Sequence, residues 1–212
     1  MGASRSPRTI AFVALMGALG NVMFVVSQTI FKTGSIALDL SHIGTFIAAI
    51  YGGPLVGLMT GFIVGIGPGM YFGYLGGSLG LLGLIGLPVG KALTGVTVGY
   101  LARIFRTDST KHPSWKVPAI TLVGYLPEAI FTVVFFETFV VIWTPTVAAP
   151  LMQYYGSMEA FVIPLLAKAW IEIGILTAFM GALVGNNGFN EFVNRVFAKP
   201  YMFLKVESKQ PE

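Results

Sequence analysis

Phe161-Val162-Ile163-Pro164-Leu165-Leu166-Ala167-Lys168-Ala169-Trp170-Ile171-Glu172-Ile173-Gly174 is the centre of an apolar run from about Met158 to Gly185, and it carries a lysine and a glutamate near its middle. A run of roughly 20 apolar residues is the length of a membrane-spanning helix. An ionised side chain at the bilayer centre costs at least about 2.5 to 3.5 kcal/mol on insertion scales, so a span keeps one only where it faces a bundle interior or a wet cavity. The same reasoning applies to Lys91, Glu128 and Glu137, which lie inside two other apolar runs. Intramembrane charges of this kind are the first candidates for a binding site.

The rest of the chain has the same character. Of 212 residues, 55% are hydrophobic and 10% are charged, and mean hydropathy is +0.78. Soluble domains carry about 25% charged residues, so the chain reads as an integral membrane protein. The 27 glycines fit, because small residues let membrane helices approach closely. The net charge of +4 resides in loops and tails, where it signals topology rather than nucleic-acid binding. With no cysteine there is no disulfide, thiolate nucleophile or Cys-ligated metal site.

Reading outward predicts an all-α, six-transmembrane-helix bundle. The first span runs from about Thr9 to Phe31, too long for the apolar core of a signal peptide, and is read as retained. Asp39-Leu40-Ser41 precedes a second helix of about 14 residues, shorter than the roughly 20 of a perpendicular span; Gly52-Gly53-Pro54 ends it. The third runs from Leu55 to about Tyr74, with Gly67-Pro68-Gly69 expected to bend or break it, and the fourth from about Leu79 to Phe105. Arg106 to Lys116 is a polar loop in water. The fifth runs from about Val117 to Trp143, and Ala148 to Ser157 is expected as an aromatic outer or partly inserted loop. The sixth is the stretch quoted above. Residues 1–188 form the membrane domain and 189–212 a cytoplasmic amphipathic tail. The basic residues Arg5, Arg8, Arg103, Arg106, Lys111, Lys116, Arg195, Lys199, Lys205 and Lys209 fall on the terminal side and Lys32 opposite, which predicts N-in, C-in topology.

Counting 1.5 Å per residue puts Lys91, Glu128 and Lys168 near mid-membrane, Glu172 one turn further inward and Glu137 in the outer half. One reading is a set of structural ion pairs joining the fourth, fifth and sixth helices; the other is a polar pocket, with lysines meeting anionic or carbonyl groups and glutamates meeting donors. Glu137, Lys91 and Lys168 are the ligand candidates, with Glu128 and Glu172 holding them. Asp39 is open to two readings, helix cap or ligand contact, and His42 is either a ligand or pH-sensing group or a satisfied structural one. Trp170, half-way through its helix, is set apart from the aromatics expected in an interfacial belt.

Catalytic signatures are missing. Gly86-Leu87-Pro88-Val89-Gly90-Lys91-Ala92 lacks the spacing and the hydroxyl of a phosphate loop, and there is no HExxH, GxSxG or paired aspartate motif. No enzyme activity and no cofactor are expected.

Leu38-Asp39-Leu40-Ser41-His42-Ile43, the turn Tyr51-Gly52-Gly53-Pro54-Leu55-Val56-Gly57 and a first helix with small residues at Ala11, Ala14, Gly17 and Ala18 together resemble the substrate-binding S component of energy-coupling factor transporters, over about residues 8–186. The resemblance implies a multi-pass protein of the prokaryotic plasma membrane that binds a vitamin in its outer half, under capping outer loops. It implies docking through Ala11, Ala14 and Ala18 onto a transmembrane coupling subunit that works with two ABC ATPases. Riboflavin-type members share Leu-Asp-Leu-Ser and the Gly-Pro turn most closely, while two buried lysines also suit a carboxylate or phosphate. Two other classes stand beside it: a proton-coupled secondary carrier using Glu128 or Glu172, and a ligand-free membrane scaffold.

Overall fold

α1 (Pro7–Ile30) starts on a proline, whose missing N–H is one of the donors a helix leaves unsatisfied at its start. The computed structural model describes residues 7–30, 32–33, 36–105 and 116–196. The polar loop expected from Arg106, most of the tail and several of the topology-setting basic residues lie outside them. After α1, a two-residue hairpin, β1 (Lys32–Thr33) and β2 (Ile36–Ala37), pairs Lys32 with Ala37 and Thr33 with Ile36.

The chain then turns back into the bundle. α2 (His42–Gly52) has 11 residues, roughly 16 Å at 1.5 Å per residue, about half of a bilayer core of ~30 Å. It runs antiparallel to α1 at close range: a Cβ on Gly44 would overlap the Met16 carbonyl, and one on Gly20 would meet the Ser41 carbonyl at 2.9 Å. The non-helical connection before α2 lies against α1, where Ser27 Oγ accepts from Leu40 N at 3.1 Å. Gly53, at φ 81°, makes the turn that a side chain would strain, and Pro54 opens α3 (Pro54–Met70).

α3 and α4 (Gly80–Ile104) form the tightest pair. Gly57, Gly61, Gly65 and Gly69, one every fourth residue, face α4, where an added Cβ would run into the backbone of Gly95, Lys91, Pro88 and Gly83 respectively. The partner number falls as the α3 number rises, so the helices are antiparallel and packed backbone to backbone. Of the bend or break expected at Gly67-Pro68-Gly69, no break occurs. The helix continues to Met70 and passes into a π-helical segment, Tyr71–Leu75. Asn21 of α1 explains the continuity: its Nδ2 donates to Ile63 O at 2.9 Å and its Oδ1 accepts from Gly67 N at 2.8 Å. A side chain bridging the two ends of a distorted turn is how membrane helices satisfy the backbone around a proline.

The fifth span, expected from about Val117 to Trp143, is a stretch over Lys116–Trp143 that is long enough to cross but interrupted. α5 (Lys116–Gly124) and α6 (Leu126–Val134) part at Tyr125, ahead of Pro127. A second π-helical segment, Phe135–Val140, leads to α7 (Val141–Trp143). The expected loop over 148–157 is instead a helix, α8 (Pro145–Tyr155), started by a proline and stopped by Gly156 at φ 88°. Ser157 then caps α9 (Met158–Val184), its side chain accepting from Ala160 N at 3.1 Å. α10 (Asn187–Val196) begins the segment expected as a surface tail, and it docks on the bundle: Val193 is buried, and Asn190 accepts from Tyr51 Oη and donates to Val184 O at 2.8 Å.

Among the described residues, five helical stretches are long and apolar enough to cross a membrane, and the sixth expected span is the short α2. Outward-facing Leu15, Val22, Phe62, Ile130, Ile163 and Ile171 are exposed, as hydrocarbon-facing side chains would be. Replacing Gly61 by leucine drives a side chain into the Lys91 carbonyl and is expected to destabilise the bundle by about 3 kcal/mol. Gly174→Ala, where an added Cβ meets nothing within 4 Å, leaves the melting temperature unchanged or raises it. Thermal unfolding of the two purified variants in one detergent checks the contrast.

Candidate functional site

Because α2 begins part-way through the bundle, residues 38–41 bring backbone N–H groups and polar side chains to the depth of Lys91. Lys91, 4% exposed, donates to Asp39 Oδ2 at 3.1 Å and to Ser41 Oγ at 2.8 Å. Asp39 Oδ1 accepts from Ser41 N at 2.9 Å, the local turn that a short polar side chain makes with its own backbone. Burial opposes ionisation of Asp39, but Lys91, His42 and the hydrogen bonds from Ser41 outweigh it and hold the carboxyl well below the ordinary carboxylate range. The backbone N–H of Asp39 donates to Glu172 Oε1 at 2.5 Å, and Glu172 pairs with Lys168 one turn away on α9 at 3.0 Å.

A second polar cluster abuts the first. His42 Nε2 lies 3.3 Å from Glu128 Oε1, and Thr94 Oγ1 donates to Glu128 Oε2 at 2.5 Å. The imidazole stacks on Phe46 at 5.6 Å and meets the edge of Tyr125 at 5.9 Å. His42 is 5% exposed, and its Nδ1 is buried with no hydrogen-bond partner among the described residues.

Both clusters line one cavity of about 350 Å³, within the range of small-molecule sites. Asp39, His42, Lys91, Glu128, Lys168 and Glu172 all contribute to its wall. The remainder is mainly aromatic and aliphatic. Phe135 reaches its place because Gly86 leaves room for the ring, which any Cβ there would overlap. Val147 and Leu151 of α8 close one side, which gives the unexpected helix a role as part of the enclosure.

Of the residues singled out in the sequence, two stand elsewhere. Glu137 is exposed and outside the wall, although its neighbours Phe135 and Phe136 line it; counting residues gives depth along a span but not which way a side chain faces. Trp170 is half-buried behind the wall, packed edge-on against Tyr125 at 5.2 Å. The pairing also differs from expectation. Lys91 is matched by Asp39 from the connection before α2, not by a glutamate of another span, and Glu128 is matched by His42. Ser41, Thr94 and the phenylalanines other than Phe72 were not singled out; Thr94, one turn after Lys91, is the one that helical spacing signals. Ala11, Ala14 and Ala18 share the exposed side of α1.

Removing one member of a buried ion pair strands the other, at a cost of about 3 to 5 kcal/mol. Lys91→Met is therefore expected to lower stability by about 3 kcal/mol, and Lys91→Met with Asp39→Asn to recover a large part of it. Equal unfolding midpoints for the single and double variants would show that the two groups are not coupled.

Comparison with known proteins adds the family. Residues 8–186 match the family model described as ECF transporter, substrate-specific component. No curated protein and no solved structure matches the chain. The match covers most of a multi-pass helical bundle whose spans converge on a cavity, and the chain belongs to the substrate-specific components of ECF transporters, which are non-catalytic transport subunits.

Proposed function

We propose that this chain is the solute-capture subunit of an ATP-driven importer of the prokaryotic plasma membrane, holding a vitamin-sized molecule in the cavity between α4, α6 and α9. The observation that carries this reading is the cavity itself: about 350 Å³, walled largely by apolar side chains and carrying a few polar groups in a fixed arrangement. That combination orients a small molecule without performing chemistry on it. The ion pairs hold those polar groups in place, so the structural and binding readings of the buried charges coincide.

Family membership implies association with coupling and ATPase subunits. We read the partners as a transmembrane coupling subunit and two ABC ATPases, which supply the nucleotide chemistry for which this chain has no phosphate loop. Ala11, Ala14 and Ala18 present small side chains on the exposed side of α1, where a partner helix can approach closely. The excess of basic residues on one side supports cytoplasmic termini, with the hairpin and α8 at the outer end.

Mass spectrometry of small molecules extracted from the purified protein is expected to find one retained solute at near-stoichiometric amount. A protein that carries none, and that no vitamin stabilises, would favour the ligand-free scaffold. Ala14→Trp is expected to preserve solute binding and to abolish co-purification with the coupling subunit; intact assembly would remove the α1 face from the interface.

A further inference from the structure

We infer that Lys168 and Glu172 act together as a donor–acceptor edge that selects the solute by hydrogen-bond pattern: an acceptor beside a donor, as a primary amide, a lactam or a cyclic ureide presents them. The inference rests on the capture reading above and adds the chemistry by which the cavity tells one solute from another.

The two side chains stand one turn apart on α9, with Lys168 Nζ 3.0 Å from Glu172 Oε1, and both line the cavity. Oε1 takes both of the bonds that Glu172 accepts, one from Lys168 and one from the backbone N–H of Asp39. Oε2 accepts none among the described residues, and it is within reach. The buried side-chain atoms that are shut off and also lack a partner are His42 Nδ1, Thr45 Oγ1 and Thr60 Oγ1, and Oε2 is not one of them. An ammonium has three N–H donors, and Lys168, its side chain 28% exposed, uses one on Glu172. Open donors and an open acceptor therefore stand side by side on the wall.

This pair is fixed in sign and in place. Asp39 N anchors Oε1, and Asp39 is itself held by Lys91 and by Ser41 N. Gln28, Ser78 and Tyr125 also line the cavity, but an amide that turns over and a hydroxyl that rotates present a donor or an acceptor as the guest requires. An ammonium only donates and an ionised carboxylate only accepts. The other groups of fixed sign face one another: Lys91, 4% exposed, donates to Asp39 and Ser41, and each oxygen of Asp39 and of Glu128 already has a donor. Lys168 and Glu172 are left to impose the pattern.

A primary amide or a lactam bears its oxygen and its N–H on the same edge, so the oxygen meets Lys168 while the N–H meets Oε2. A carboxylate solute sets a second acceptor of like charge against Oε2, and an ammonium solute sets its charge against Lys168. A ketone or an N-methylated lactam leaves Oε2 without a donor. Sites built around a substrate N–H discriminate against the analogue that lacks it, because their own buried polar group is then unpaired.

Calorimetry in detergent on the unaltered protein compares probes that differ at one group: riboflavin with 3-methylriboflavin, and nicotinamide with 3-acetylpyridine and nicotinate. At least one of the two N–H probes is expected to bind at least tenfold more tightly than its analogues. Glu172→Gln keeps an oxygen for Asp39 N and Lys168 and sets an amino group where Oε2 accepted. It is expected to abolish the preference for the N–H probe and, in the nicotinamide set, to turn it toward nicotinate, a switch that damage to packing does not produce. Equal binding by an N–H probe and its analogues, no binding by either N–H probe, or an unchanged preference in Glu172→Gln would overturn the inference. Should that variant fail to fold, the comparison on the unaltered protein decides alone. A retained solute with no acceptor beside a donor would also overturn it and leave capture standing. A protein that retains no solute and binds no probe would remove both.

Discussion

Lys91 cannot sit inside a membrane bundle without a counter-charge at its own depth, and much of the architecture around it follows from how that charge is delivered. The partner, Asp39, comes from a connection rather than from a spanning helix. For a connection to reach that depth the next helix has to be short, and α2 is. Irregular backbone inside a bilayer needs protein partners for its N–H and C=O groups. Here Ser27 accepts from Leu40, and Glu172 from Asp39. One ion pair therefore ties together the connection, α1, α4 and α9.

Two kinds of packing surround that centre. On one side α1 to α4 approach through glycines, backbone against backbone, which leaves little room for side-chain rearrangement. On the other side α6 and α9 present rings and α8 aliphatic side chains, and π-helical segments end the third span and interrupt the fifth where their phenylalanines enter the wall. π-helical turns cluster at functional sites because the extra residue re-aims the side chains around it. A close-packed half meeting a ring-lined half is an arrangement that leaves space between them for a guest.

Much of the fold was legible because the bilayer imposes a simple rule on composition. Long apolar runs bounded by Gly, Pro and polar turns gave the ends of α1, α4 and α9 to within a few residues. Asp39 and His42, marked only as open to two readings, are at the centre of the site. Glu137, a ligand candidate by depth, faces away from the cavity, because a position along a helix says nothing about rotation around it and the residue lies within a π-helical segment. The helix over α8 was missed because Pro145, Pro150 and paired tyrosines read as loop, whereas proline at a helix start promotes the helix it opens. Asn21 gave no signal at all, since its role exists only beside the distorted turn of α3.

What the sequence determined by itself is that the chain is helical, lies in a membrane and keeps ionisable groups inside it: hydropathy, run length and the cost of burying charge are properties of the residues in order. Tertiary structure decided which charge meets which. It matched Lys91 to Asp39 across 52 positions of sequence and Asp39 N to Glu172 across 133. It also left His42 Nδ1 open and turned Glu137 away. Pairing depends on the rotation and approach of neighbouring helices, and these are set by where glycines let backbones touch, a condition that involves two segments at once and is written in neither alone.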